Sequence, residues 1–183
     1  VKFKIDFNSP FILTFSFIAT VIFILNGITD GALTPFIVLM PDFSFSSFSD
    51  YVSLFGYTLG HANLEHLLGN LMLLLLIGPI LEEKYGQKNL LIMWLITSIV
   101  TAIISLIFFH QAILGASGFV FMCIVLVSFT NMRQGTIPLT FLLVVGLYLG
   151  NEVYNSFNDD NISQFGHITG GICGSIFGFY KRR

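Results

Sequence analysis

Charge is what this chain has least of: only 10% of its 183 residues are Asp, Glu, Lys or Arg, where a water-soluble domain carries about 25%. So few charges cannot coat a surface that faces water, which excludes an ordinary soluble domain and makes lipid the main solvent. Basic residues are scarcer than acidic ones, 8 against 10, and the one basic run is Lys181-Arg182-Arg183. Nucleic-acid binding is thereby excluded. Cysteine is also sparse. Cys123 and Cys173 both fall in apolar stretches, at a spacing that fits neither a disulfide framework nor a metal site, and read as buried small hydrophobes.

What is present in quantity is apolar: 55% hydrophobic residues, 21 of the residues phenylalanine, and a mean hydropathy of +0.85. Six apolar segments stand out at 10–27, 64–81, 89–109, 115–131, 137–152 and 164–180. Each approaches the roughly 20 residues that cross about 30 Å of hydrocarbon. Helices are predicted, because these runs are too long and too continuously apolar for the alternating strands of a barrel. The first follows Lys2 and Lys4, as a secretory signal would, but lacks a small-x-small cleavage site and has five spans after it, so a retained helix is expected. The chain reads as one all-α membrane domain over 1–183.

An inside N-terminus puts Lys2, Lys4, Lys84, Lys88, Arg133, Lys181, Arg182 and Arg183 on one side of the bilayer. None falls on the other, so both termini are predicted to be cytoplasmic. Residues 28–60 are too long for an ordinary connection and are interrupted by Pro35 and Pro41. They are expected to form a long outer loop partly embedded in the interface, with Phe36, Phe43, Phe45 and Phe48 dipping toward lipid.

Polar residues inside such spans are expensive and point to function. Gly115-Ala116-Ser117-Gly118 opens the fourth span. His167 opens the sixth, which carries Gly166, Gly170, Gly174 and Gly178 at every fourth position. His66 and Asn70 lie one turn apart on the second. Counted from the inner ends of their helices at 1.5 Å per residue, Ser117, His167 and Asn70 lie roughly 21, 20 and 18 Å up, and His66 about 24 Å. Three helices thus deliver polar groups to one layer. The glycines, Gly115 and Gly118 included, read as helix-packing positions that let the fourth and sixth spans approach closely.

A serine hydroxyl needs a base to become a nucleophile, and His167 has the pKa range for that work. His66, Asn70 and the Ser117 backbone N–H can converge on an oxyanion. Asp159 and Asp160 read as solvated loop charges, so a Ser-His dyad is favoured over a triad. Taken singly, Ser117 would be a packing residue, His167 an interhelical hydrogen-bonder, and His66 and Asn70 ties between helices. His61 reads as a loop anchor, His110 as a solvated helix end and Glu152 as interfacial, while Glu65 is left unexplained between snorkelling outward and pairing near the interface.

Together these motifs resemble those of the rhomboid intramembrane serine proteases. Gly115-Ala116-Ser117-Gly118 is similar to their GxSG, and His167-x-x-Gly170-x-x-x-Gly174 to their HxxGxxxG. His61-Ala-Asn-Leu-Glu-His66-Leu-Leu-Gly-Asn70 resembles their second-span signature. Glu82-x-Lys84-x-Gly86 is similar to the acidic-basic-glycine sequence after it, with lysine where arginine is usual.

The resemblance implies a six-helix bundle in the bacterial plasma or inner membrane, with Ser117 as nucleophile and His167 as general base. His66, Asn70 and the Ser117 backbone would form the oxyanion site. It implies no metal and no cofactor, and it implies membrane-anchored protein substrates cut in or near their transmembrane segment. Two departures stand out. Val52-Ser53 replaces a common Trp-Arg pair, and Phe121 stands where many members have tyrosine, keeping the ring but losing the hydroxyl. A catalytically silent relative that binds client transmembrane helices is the alternative, and a small transporter or channel ranks below it.

Overall fold

The computed structural model describes residues 4–130, 136–149 and 162–180, and these are helical apart from turns and one isolated antiparallel bridge, Leu39–Ile113. The order is α1 (Pro10–Ile28), α2 (Thr34–Ile37), α3 (Phe48–Gly56), α4 (Leu64–Tyr85), α5 (Gln87–Ile104), α6 (Ser117–Val127), α7 (Leu139–Val144) and α8 (Ile162–Tyr180). Single π-helical segments, Ser105–Phe109 and Val145–Leu149, extend α5 and α7. Each of the six apolar segments contains a helix. Among the described residues, three helical stretches are long and apolar enough to cross a membrane: Pro10–Ile28, Leu64–Tyr85 and Gln87–Phe109. Their outward faces carry exposed Phe17, Ile24, Met72, Leu76 and Ile103, the opposite of what a surface facing water tolerates.

Two predicted boundaries move for physical reasons. The fourth span does not begin at Gly115. That glycine holds φ +119°, a left-handed conformation outside any helix, so α6 starts at Ser117. The second runs past position 81 because Pro79 is accommodated within α4, which stops only at Gly86 with φ +81°.

The segment 28–60 contains two short helices, α2 and α3, rather than being loop throughout. Pro35 starts α2, where its missing N–H costs nothing. Phe45 and Phe48 point outward. Phe43, expected to face lipid, instead packs with Leu39, Tyr57, Ala102 and Ile113, a small core that the Leu39–Ile113 bridge closes at 3.0 Å in both directions. Phe36 is half-buried, and its carbonyl lies against Gly56 with no room for a Cβ there.

The main core joins α1, α4, α5, α6 and α8. Phe11, Phe15, Trp94 and Phe119 cluster at its centre, with ring centroids 5.5–6.3 Å apart. Edge-to-face packing accounts for the Phe11–Phe119 and Phe15–Trp94 pairs. At one end of this core the Glu82 carboxylate, buried at the end of α4, accepts the N–H groups of Phe11 at 2.9 Å and Ile12 at 3.0 Å. The first N–H groups of a helix have no intrahelical acceptor, and Ser9 supplies no side-chain cap. A carboxylate from another helix does so, where the helix dipole also favours negative charge.

Glu82→Ala leaves two buried donors unmet. We expect a loss of roughly 3 kcal/mol of stability, read as a fall in melting temperature in detergent, with Glu82→Gln losing less. Equal stability of wild type and Glu82→Ala would refute the capping role.

Candidate active site

Ser117 is the first residue of α6, and the turn before it is strapped in place. Gly115 N–H donates to Tyr57 O at 2.8 Å, and the Tyr57 hydroxyl donates to Ser98 O at 3.1 Å. The small residues of the motif have separate reasons. A Cβ on Gly115 would lie 2.6 Å from the His66 imidazole. Gly115 is therefore not a helix-packing residue, as its motif suggested. It is the turn that lets the His66 ring lie against the start of α6. Ala116 is fully buried.

The α6–α8 contact is the most extensive between any two described helices. A Cβ on Gly170 would enter the Gly118 backbone, and one on Gly178 would enter the Phe129 ring. Gly174 faces Met122 O. Gly166 departs from this pattern: among the described residues its own Cβ position is open, and what it offers is its carbonyl, 3.2 Å from where a Gly118 Cβ would be. Among the described residues, three of the four ladder glycines are needed for contact.

This close approach brings the predicted residues together. Ser117, His167, His66 and Asn70 all line one cavity of about 580 Å³. The His167 ring stacks on Phe121, with centroids 4.1 Å apart and planes within 6°. Ring packing at position 121 therefore persists without the hydroxyl. Asn70 is buried, and its amide nitrogen has no acceptor among the described residues. The Ser117 N–H stands at the α6 N-terminus, where donors are free of intrahelical acceptors and the dipole is positive.

His61 is buried just before α4, and its ring meets that of His66 edge-on at 5.0 Å. Its Nδ1–H donates to Leu59 O at 3.2 Å. Burial, and then the neighbouring His66, push its pKa down to about 4, so it is neutral at physiological pH. That suits a positioning and anchoring role. His110 is exposed, in a left-handed cap after the π-helical segment. Asp159, Asp160, Glu152 and Arg133 lie outside the described residues.

Sequence reasoning passed over the inner wall. Thr97, Ser98 and Thr101 of α5 line the cavity and are nearly fully buried, and Ser105 continues their row. The signal was available: hydroxyls at 97, 101 and 105 recur every fourth residue and share one face of an otherwise apolar helix. Glu65 also lines the cavity.

Compared with known proteins, residues 49–183 match the rhomboid domain, which is about three-quarters of the chain. The chain belongs to the rhomboid family. That membrane-integral family includes serine proteases. The chain is 31% identical over 122 residues to the rhomboid protease GluP of Bacillus subtilis, covering 64% of this chain and 23% of that protein. It is 30% identical over 129 residues to RHOMBOID-like protein 2 of Arabidopsis thaliana, covering 65% and 38%. With rhomboid-related protein 2 of Mus musculus the figures are 28% over 137 residues, covering 67% and 45%. This rhomboid chain therefore spans less than half the length of each of these relatives.

Proposed function

We propose that the chain is an intramembrane serine endopeptidase that cleaves membrane-anchored proteins through a Ser117–His167 dyad. The single observation that carries this reading is the meeting of Ser117, His167, His66 and Asn70, from three separate helices, around one cavity. A small transporter would instead spread polar groups along a path through the bundle.

The chemistry follows from the residues. The Ser117 Oγ attacks the scissile carbonyl carbon while the His167 imidazole takes its proton. The carbonyl oxygen becomes an oxyanion, met by the His66 ring, the Asn70 amide and the Ser117 N–H. Collapse breaks the C–N bond, the departing amine takes the proton from His167, and an acyl-enzyme remains on Ser117. Water then attacks the ester with His167 again as base, releasing the acid and restoring the serine. The buried hydroxyls of Thr97, Ser98 and Thr101 give water a polar surface beside the ester.

On this reading α1, α4, α5, α6, α7 and α8 are the six spans of a multi-pass protein in a bacterial plasma membrane, with both termini cytoplasmic. The segment holding α2 and α3 lies in the outer interface. Substrates are single-pass or otherwise membrane-anchored proteins, and neither a metal nor a cofactor takes part.

The test is covalent capture. A fluorophosphonate should label the folded protein in detergent, and peptide mapping should place the adduct on Ser117. Folded protein that takes no label, and cuts no membrane reporter, would favour the silent helix-binding alternative.

A further inference from the structure

Glu65 is the cavity residue that the dyad chemistry leaves unused. It lines the same cavity as Ser117 and is exposed, in the first turn of α4. Among the described residues it has neither a hydrogen bond nor an ion pair. The described basic residues, Lys4, Lys84 and Lys88, belong to the opposite end of the bundle: Lys84 is 19 residues along the same helix, roughly 28 Å away. At that distance charges are screened from one another. Among the described residues the Glu65 carboxylate is therefore a negative charge without a counter-charge, on the lining of the cavity. Below it on α4 the cavity is lined by Gly69 and Leu73, at four-residue steps. Among the described residues a Cβ on Gly69 would meet nothing within 4 Å, so they leave space beneath the carboxylate.

We propose that Glu65 selects substrates carrying a lysine or arginine close to the scissile bond, on its outer side. The inference rests on the protease reading above and names its substrate class. Glu65 precedes His66 and Asn70 along α4, so it lies further out than the oxyanion donors. A substrate residue that meets it must lie outward of the carbonyl under attack. A long basic side chain suits this geometry, because its apolar alkyl stem tolerates the apolar lining of the cavity while its charged head meets the carboxylate. The selection is sharp for a simple reason: membrane segments carry most of their Lys and Arg on the cytoplasmic side. An outer basic residue therefore distinguishes a minority of membrane proteins. Acidic residues there are repelled, so the same carboxylate discriminates in both directions.

A first-turn acid also complements the dipole of its own helix. That role changes cleavage of all substrates alike, whereas selection changes one relative to another. The experiment therefore uses the full chain in proteoliposomes and a single-span reporter protein. Each of the four residues outward of the cleaved bond is replaced in turn by Lys, Gln or Glu. At one position the wild type should prefer Lys over Gln by roughly fivefold in kcat/KM, as expected for one partly solvated ion pair, with Glu poorer still. In Glu65→Gln the Lys-to-Gln ratio should fall toward one, and in Glu65→Lys the order should invert.

A wild type that cuts all the reporters without regard to charge overturns the proposal, as does a Lys preference undiminished in Glu65→Gln. Failure of the protease reading looks different: no reporter is cut and no fluorophosphonate adduct forms on Ser117.

Discussion

His167→Ala should lower turnover of a membrane reporter by roughly 10⁴-fold or more, the scale seen when a member of a serine–histidine pair is lost. No other described imidazole can replace it: His61 is turned to Leu59 O, and His66 lies over Gly115 on the oxyanion side. Fluorophosphonate labelling of Ser117 should fall with it, because the same proton transfer activates the serine for both reactions. Asn70→Ala gives the informative contrast. Removing one oxyanion donor costs about 100- to 1000-fold, and that loss should appear in kcat with KM little changed, since the donor acts on charge that develops only in the transition state. Single-turnover kinetics on one reporter separates the two. Equal losses in the two variants would mean that the roles assigned to the imidazole and the amide are wrong.

The positions of these groups were legible because each sits in an apolar run, where a polar residue stands out against its background. The layer in which they meet was legible too, since residue counts from helix ends convert directly to depth. Other parts depend on tertiary geometry that no spacing encodes. Gly115 and Gly166 both looked like packing glycines. One instead serves a backbone at φ +119° under a ring, and the other contributes a carbonyl. Glu82 read only as part of a motif, because its partners, Phe11 and Ile12, are some seventy residues earlier. The short helices α2 and α3 are 4 and 9 residues long, too brief for a 3.6-residue period to emerge. The inward turn of Phe43 is likewise set by the Leu39–Ile113 bridge. The hydroxyl row on α5 is a different case. It was periodic and readable, and was hidden only by the small size of Thr and Ser among Ile and Leu.

Gly170→Val should cost the protein both its dyad and its fold, with the melting temperature and Ser117 labelling falling together. A Cβ at 170 enters the Gly118 backbone, and no rotamer change relieves a clash with main chain. The two helices must separate, and this is the contact that holds Ser117 and His167 at one cavity. Overpacking usually costs about 1–3 kcal/mol. Here the upper end or beyond is expected, because the whole α6–α8 seam opens and Gly174 and Gly178 lose their partners as well. The ladder supplies its own control. Gly166→Ala is one turn away on the same helix and meets open space among the described residues, and alanine is the better helix former by about 1 kcal/mol. It should leave the melting temperature at or above that of wild type. If Gly166→Ala and Gly170→Val were equally destabilising, the loss would reflect general intolerance of this helix to substitution, and the seam argued from Gly118 and Gly170 would fail. If Gly170→Val melted like wild type and still labelled, close backbone approach would not be what brings the serine and the histidine together.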